Sequence, residues 1–269
     1  MLGNISLGRF YPGHSVLHRL DPRTKILASV LVMILIFLVQ STTPMILLGF
    51  LTLLLIVLSR VPVKLVLNGL KPMLFILAFA FVLNMLTVQG TVWVPLGPLA
   101  ITDQGVYTAL RMAARLTLLI LNTTLFLTLT TTPILVADAI ESLFNPLKKV
   151  GFPVHEMAMM MSIALRFVPT LLEETDKIMK AQSSRGADYD TGGLITKARG
   201  LVSVLIPLFV SAFKRAEDLA VAMEARCYRG GEGRTRLKVM HYSRLDLNFT
   251  IVFGLVSVIL LVLQYLAIA

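Results

Sequence analysis

The amino-acid sequence predicts an all-α membrane protein with about five transmembrane helices and a cytoplasmic-side set of long amphipathic helices. Hydrophobic residues make up 56% of the 269-residue chain and charged residues only 15%, whereas an ordinary soluble domain has roughly 45–50% and about 25%. The mean hydropathy is +0.81. Because charges this scarce cannot solvate the surface of a globule of this size, the composition excludes a water-soluble protein.

The charges are also unevenly placed, and their absence defines the spans. A helix needs about 20 apolar residues to cross the hydrocarbon core of a bilayer. The stretches without Asp, Glu, Lys or Arg are Ile26 to Ser59, Pro72 to Thr102, Leu116 to Ala137 and Leu247 to Ala269. The first is too long for one span, and its polar turn Gln40–Pro44 divides it into Ile26–Val39 and Met45–Ser59. The sequence therefore predicts five spans, of which the first two are short.

Loop charges predict the orientation of these spans and the domain limits. Basic residues precede the first span, which places the N-terminus in the cytoplasm of a bacterial cell and makes the chain a multi-pass protein of the cell membrane. Arg111 and Arg115 fit this scheme less well, and we expect them near the outer side or facing the bundle interior. The predicted regions are 1–132 with four spans, a cytoplasmic region 133–245, and 246–269 with the last span.

The net charge of +10 does not indicate nucleic-acid binding. Region 133–245 holds 16 of the 25 basic and 12 of the 15 acidic residues, so most of its surface is of mixed sign. Most of the other basic residues lie in cytoplasmic-side segments that set topology. We therefore expect a lipid bilayer, and no nucleic acid, as the charged partner.

The cytoplasmic region contains long helices with one apolar face. Apolar residues recur at helical spacing over 157–178 and 194–223, and a shorter helix is predicted over 133–150. Pro169 and Pro207 fall inside the long helices and are expected to kink them. Pairs of opposite charge at i and i+4 stabilise these helices, and they are Glu173/Lys177, Asp176/Lys180 and Lys214/Asp218.

Each long helix is predicted to end at an arginine. The first ends at Ser184-Arg185-Gly186 and the second at Ala225-Arg226-Cys227. A cation in the last turn complements the helix dipole, so capping alone explains either arginine taken singly. Two such ends on one region with no catalytic partner indicate a docking device instead, because the planar guanidinium pairs bidentately with a carboxylate.

Enzyme and metal signals are absent from the sequence. The single cysteine, Cys227, excludes an intramolecular disulfide, and the four histidines have no metal-ligand spacing. The chain also lacks the Gly-rich phosphate loop that binds ATP. A self-contained secondary transporter or channel is the alternative, supported only by Asn84, Asn122 and the two arginines near the fourth span. An intramembrane enzyme would need a His, Asp or Glu constellation within the bilayer, and none is present.

The sequence resembles EcfT, the transmembrane T component of energy-coupling factor transporters, over essentially the whole chain. Single motifs would be weak support, but their ordered series is specific. The motifs are Tyr11-Pro12-Gly13, Asp21-Pro22-Arg23-x-Lys25, Ala137-Asp138-Ala139-Ile140-Glu141 with Pro146-Leu147, Ala164-Leu165-Arg166-Phe167-Val168-Pro169-Thr170, Ala181-Gln182-Ser183-Ser184-Arg185-Gly186-Ala187, Met223-Glu224-Ala225-Arg226 and Gly233-Arg234-Thr235-Arg236.

The resemblance implies a non-catalytic scaffold that serves two ATPase subunits. In that family two X-Arg-Gly motifs end the coupling helices, and each arginine docks in a groove of one ATPase; ATP and Mg²⁺ are bound by those partners, and this chain binds no cofactor or metal. The motifs map to Ser184-Arg185-Gly186 and to Ala225-Arg226-Cys227, where Cys227 replaces the glycine. Because cysteine is unfavourable at positive φ, we expect the second helix to continue and cap at Gly230 or Gly231. Ala198-Arg199-Gly200 also matches the motif, but its place early in a helix makes it a coincidence.

The resemblance also implies a membrane-embedded, substrate-binding S component beside this chain. ATP-driven motion would be transmitted to it for uptake of a micronutrient, a vitamin or a metal. The apolar faces of the two long helices are the candidate contact, and the Met-rich part suits exchangeable partners. The sequence does not identify the substrate or show whether the S component is dedicated or shared. The candidate contact residues are Met157, Met161, Ala164, Val168, Leu201, Leu205, Leu208 and Ala212.

Overall fold

A computed structural model describes residues 10–96, 99–187, 193–230 and 240–267, and most of them are helical. The helices, labelled in chain order, are α1 Val16–Arg19, α2 Pro22–Leu38, α3 Thr42–Ser59, α4 Val63–Asn68, α5 Leu74–Thr87, α6 Asp103–Thr123, α7 Pro133–Phe144, α8 Val154–Ser184, α9 Leu194–Ala225 and α10 Arg244–Leu266. Shorter 3₁₀ segments cover Lys71–Met73 and Asn145–Val150, and a π-helix covers Thr124–Leu129.

The all-α membrane fold with about five spans is confirmed, although the five helices are not the same five that the sequence predicts. Among the described residues, five helices are long and apolar enough to cross a membrane, judged by length and composition. They are Thr42–Ser59, Val63–Thr87, Asp103–Leu129, Ile195–Ala225 and Arg244–Leu266. The predicted first span, α2, has only 17 residues. Helix α9 qualifies because its residues 200–213 include no charged side chain. The cytoplasmic placement of region 133–245 therefore stays a prediction.

The charge-free stretches that hold the third and fourth spans do not coincide with the helices of the structure. Helix α5 ends at Thr87, and an antiparallel hairpin of β1 (Val92–Leu96) and β2 (Leu99–Thr102) follows it. Helix α6 begins at Asp103, ahead of both arginines that the charge-free rule excluded from the span. The guanidinium of Arg111 lies 4.4 Å from the centre of the Tyr107 ring. Nη2 of Arg115 donates to the carbonyl of Val39 at 2.7 Å, which places that charge toward the bundle interior.

The described residues form two compact units, one comprising 10–139 with 240–267 and the other 140–187 with 193–230. In the first unit, Phe126 makes edge contacts with Phe249 and Phe253 of α10, each with ring centres 6.5 Å apart. Close packing of α5 and α6 depends on Gly105, since a Cβ there would lie 2.7 Å from the carbonyl oxygen of Met85. This unit therefore has a tightly packed apolar core.

Buried polar groups hold the start of α2 in this unit, and they explain the Asp21-Pro22-Arg23-x-Lys25 motif. The Asp21 side chain caps α2 by accepting from the Arg23 backbone N–H at 2.9 Å, while its own N–H donates to Asp246 Oδ1 at 2.7 Å. Nζ of Lys25, whose side chain is almost completely buried, donates to the carbonyl of Thr130 at 2.8 Å. Removing any one partner would leave a buried polar group unsatisfied, so the motif has a structural role.

The Tyr11-Pro12-Gly13 motif is held by His18 of α1. Nε2 of His18 lies 2.9 Å from the carbonyl oxygen of Tyr11, and Nδ1 lies 2.7 Å from Ser15 Oγ. A Cβ at Gly13 would lie 3.0 Å from the imidazole, so the ring leaves little room for a side chain there. Burial lowers the pKa of His18, because the protonated ring would lose hydration. The neutral imidazole therefore fixes this N-terminal turn.

Candidate docking site

Helix α8 ends in a Schellman motif that presents Arg185. The N–H of Gly186 donates to the carbonyl of Ser183 at 3.0 Å, and the N–H of Ala187 donates to that of Gln182 at 2.9 Å. Gly186 has φ of +88°, which is the left-handed conformation that this cap requires. The free carbonyls at the helix end are thus satisfied by backbone groups, and the exposed Arg185 side chain is not needed to cap them.

Helix α9 ends in the same backbone geometry, with Cys227 in the place of the glycine. The N–H of Cys227 donates to the carbonyl of Glu224 at 2.8 Å, and the N–H of Tyr228 donates to the carbonyl of Met223 at 3.1 Å. The expectation that this helix continues to a cap at Gly230 or Gly231 is wrong, because α9 ends at Ala225 and Cys227 itself adopts φ of +55°. Gly230 also has positive φ but lies beyond the helix, and Gly231 lies outside the described residues.

Arg185 and Arg226 therefore occupy equivalent C-cap positions, with φ/ψ of −93°/10° and −91°/13°. Both are exposed, and within the described ranges neither guanidinium makes an ion pair or hydrogen bond. A planar guanidinium at the end of a long helix can bind a carboxylate through two parallel hydrogen bonds. The two helix ends thus present exposed guanidinium groups on equivalent backbones.

Glu174 of α8 joins the two helices, and the sequence pattern did not reveal it. Its Oε2 accepts from Nη2 of Arg215 at 2.7 Å, and its Oε1 accepts from Ser211 Oγ. Ser211 and Arg215 lie one turn apart on α9, so one carboxylate contacts two successive turns of the neighbouring helix. The Glu174 side chain is 22% exposed and the Arg215 side chain 38%, which partly shields the pair from water. Of the predicted pairs within one helix, Asp176 and Lys180 meet at 3.4 Å.

The Glu174 contact lies at equal sequence distances from the two helix ends. Arg185 follows Glu174 by 11 residues, and Arg226 follows Arg215 by 11 residues. At 1.5 Å per residue each arginine lies about 16 Å further along its helix from this contact. The Glu174 contact can therefore set the spacing of the two arginines relative to each other.

The predicted apolar contact residues are divided by the structure into exposed and half-buried sets. Along α8, Met157, Met161 and Ala164 are exposed and Val168 is half-buried. Along α9, Leu201 and Leu205 are exposed, whereas Leu208 and Ala212 are half-buried.

Helix α9 also carries an exposed apolar stripe that the sequence did not single out. Val202, Ile206, Phe209 and Phe213 recur at helical spacing, and their exposures rise from 49% at Val202 to 73% at Phe213. Every side of this part of α9 is apolar in sequence, so periodicity alone cannot select the outward face. Large aromatic residues at the outer positions extend the apolar surface beyond the predicted residues.

The polar residues that supported a secondary transporter are engaged within the bundle. Nδ2 of Asn122 donates to Thr52 Oγ1 at 2.9 Å and to the carbonyl of Leu118 at 2.8 Å. Nδ2 of Asn84 donates to the carbonyl of Ala80 in its own helix. The Asn122 contact thus joins α6 to α3, whereas the Asn84 contact lies within α5. A search of the described residues finds no group of three or more His, Cys, Asp or Glu side chains placed to hold a metal ion.

Comparison with known proteins identifies relatives over nearly the full length. Residues 13–237 match the model of the CbiQ family, described as a cobalt transport protein. A protein of Ruminiclostridium cellulolyticum named energy-coupling factor transporter transmembrane protein EcfT is 54% identical over 256 residues, covering 94% of this chain and 96% of its own. The proteins of the same name from Thermosediminibacter oceani and Bacillus subtilis are 50% and 45% identical, covering 94% and 98% of this chain and 96% and 100% of their own lengths.

Replacing Cys227 tests the shared cap geometry. Cys227→Gly should stabilise the end of α9 by about 1 kcal/mol, because glycine adopts positive φ without the steric cost of a Cβ. Hydrogen exchange of the amides at Cys227 and Tyr228 should then slow, whereas in Cys227→Val it should accelerate. Equal exchange in all three proteins would contradict the assigned backbone at this position.

Replacing Glu174 tests the contact between α8 and α9. Glu174→Ala should destabilise the pairing of the two helices by about 1–2 kcal/mol, because Arg215 and Ser211 lose their shared acceptor. Hydrogen exchange of amides near Glu174 and Ser211 reports the change. Glu173→Ala, at the adjacent exposed position, is the matched control and should have little effect. Recovery of protection in the charge-swapped Glu174→Arg/Arg215→Glu protein would support direct pairing, and equal effects of the two alanine variants would refute it.

Proposed function

The chain belongs to the CbiQ family as an energy-coupling factor transporter transmembrane component of the EcfT type, and we propose that it transmits ATP-driven motion from two ATPase subunits to a membrane-embedded S component. It is thus a multi-pass component of a multi-subunit transporter. Under this proposal ATP hydrolysis occurs in the partner subunits, which bind ATP and Mg²⁺, and this chain contributes no catalytic residue.

The observation that carries the proposal is the equivalence of the two arginine ends. Arg185 and Arg226 have matching C-cap backbones, are exposed, and end two long helices that the Glu174 carboxylate connects. Two equivalent acid-binding ends suit two equivalent partners, and each ATPase would supply a carboxylate-lined groove for one guanidinium. Ser184, Gly186, Ala225 and Cys227 shape the backbone around these two arginines.

Motion would pass along α8 and α9 from the docked ends. When the ATPases close on ATP, each arginine end moves with its subunit, and Glu174 keeps the two helices moving as a pair. The exposed apolar surfaces of α8 and α9 would then carry this motion to the S component, which reorients and releases a vitamin or metal inside the cell. Met157 and Met161 on α8, with Leu201 and Leu205 on α9, lie on these surfaces.

The proposal includes a topology in the bacterial cell membrane. The N-terminus lies in the cytoplasm, because basic residues concentrate on that side of a membrane protein. Arg19, Arg23 and Lys25 all come before or at the start of α2, consistent with this orientation. The ends of α8 and α9 must face the same compartment as the ATPases.

Charge reversal of the two arginines tests the docking role. Each change, Arg185→Glu or Arg226→Glu, should weaken association with the ATPase subunits by at least about 30-fold, because a buried guanidinium–carboxylate pair becomes a repulsive one. The double variant should lose both co-purification of ATPases and substrate uptake in cells. The measurement is the amount of each ATPase recovered with a tagged chain from membranes that express the whole transporter.

Arg199→Glu provides the matched control. Arg199 is exposed and lies in the same three-residue pattern, Ala198-Arg199-Gly200, but within α9 and not at its end. The Arg199→Glu transporter should retain both assembly with the ATPases and substrate uptake. Full assembly and uptake by the double Arg185→Glu/Arg226→Glu variant would refute the docking role, as would an equal loss in Arg199→Glu.

A further inference from the structure

The turn between α7 and α8 is an exposed surface on which apolar side chains flank two adjacent lysines. Every residue from Phe144 to Pro153 is exposed. Its large apolar residues include Val150 at 86% exposure and Phe152 at 46%, and Lys148 and Lys149 lie beside them. We propose that this turn, residues 144–153, inserts its apolar side chains into the membrane interface and binds anionic lipid headgroups through its two lysines.

The backbone of the turn is held in one conformation, so the exposed side chains are presented together. Residues Asn145–Val150 form a 3₁₀ segment, and Gly151 ends it with φ of +83°. The N–H of Gly151 donates to the carbonyl of Lys148 at 3.1 Å, and the N–H of Phe152 donates to that of Leu147 at 3.3 Å. Presenting these side chains therefore requires little further ordering of the backbone on binding.

The base of the turn is closed by a contact between its flanking helices. Nδ1 of His155, in the first turn of α8, lies 3.2 Å from Oε1 of Glu141 in α7. Both side chains are largely buried, and Glu141 is the nearest acidic residue before the lysines. The Glu141 carboxylate is thus engaged with His155 at the base of the turn.

The chemistry of the tip favours an anionic lipid surface over water. No acidic residue lies between Ser142 and Pro153, so the tip has a net positive charge. Leu147 and Val150 flank the two lysines directly, and Phe144 and Phe152 lie at the two ends of the turn. Apolar side chains beside lysines are typical of segments that bury their apolar part at the acyl boundary while the ammonium groups remain among the headgroups. Each lysine at an anionic surface strengthens such binding roughly fivefold.

The inference is independent of the proposed ATPase docking, and its test is designed to keep the two apart. The chain has one cysteine, so Cys227→Ser gives a background in which a single introduced cysteine carries the probe. A bimane label at Val150→Cys reports depth in the membrane when the full-length protein is reconstituted in nanodiscs with brominated acyl chains. A label at Lys180→Cys is the control, since that side chain is 79% exposed on the same unit.

The expected result is quenching of the Val150 probe that grows with the fraction of phosphatidylglycerol in phosphatidylcholine nanodiscs, with little quenching of the Lys180 probe. Lys148→Gln/Lys149→Gln should weaken the interaction by about 30-fold and shift the quenching curve to higher phosphatidylglycerol. Lys177→Gln/Lys214→Gln, which removes two exposed lysines elsewhere on the same unit, should leave the curve in place.

Other outcomes would overturn the inference. Equal quenching of the two probes, or quenching that depends on neither phosphatidylglycerol nor the two lysines, would exclude a headgroup-binding turn. Protection of the Val150 probe only after partner subunits are added would assign the surface to a protein contact. The quenching results do not depend on whether Arg185 and Arg226 bind ATPases, because those nanodiscs contain this chain alone.

Discussion

The carboxylate of Glu174 is the contact on which the proposed arrangement of the two arginine ends depends. One long helix alone could place one arginine, but two arginines at a defined separation require the helices to be fixed against each other. Glu174 does this by accepting hydrogen bonds from Ser211 and Arg215 on successive turns of α9. An isolated surface ion pair contributes little to stability, whereas this one is partly buried and adds a serine hydroxyl. It therefore both stabilises the pairing of α8 and α9 and fixes their relative position.

The helical fold and the two arginine ends followed from the sequence, because both depend on local signals. Long charge-free or periodic segments predict helices, and Arg-Gly at the end of such a segment predicts a cap. The limits of α6 could not be predicted by excluding charges, since Arg111 and Arg115 are accommodated by the Tyr107 ring and the Val39 carbonyl. Those partners come from the fold and not from the neighbouring sequence.

The backbone at Cys227 and the outward face of α9 show two further limits of sequence reasoning. Intrinsic preference argues against cysteine at positive φ, yet the two backbone hydrogen bonds of the Schellman motif are formed there at a local steric cost. In α9 the apolar residues surround the helix, so only the packed structure distinguishes exposed Phe213 from half-buried Leu208. The first outcome reflects local backbone hydrogen bonds that outweigh a residue preference, whereas the second depends on tertiary packing.

The central claim, that Glu174 makes the two arginine ends move as a pair, is tested most directly by a distance measurement in the working transporter. Spin labels at Lys180→Cys and Val221→Cys, each at an exposed position five residues before its arginine, are introduced into a Cys227→Ser chain assembled with its partners in nanodiscs. Double electron–electron resonance should give a narrow distance distribution that shifts between the nucleotide-free and ATP-trapped states. With Glu174→Ala it should become broad in both states. The claim would be contradicted if the Glu174→Ala transporter showed the same narrow distances and the same shift, or if ATP produced no shift with Glu174 intact.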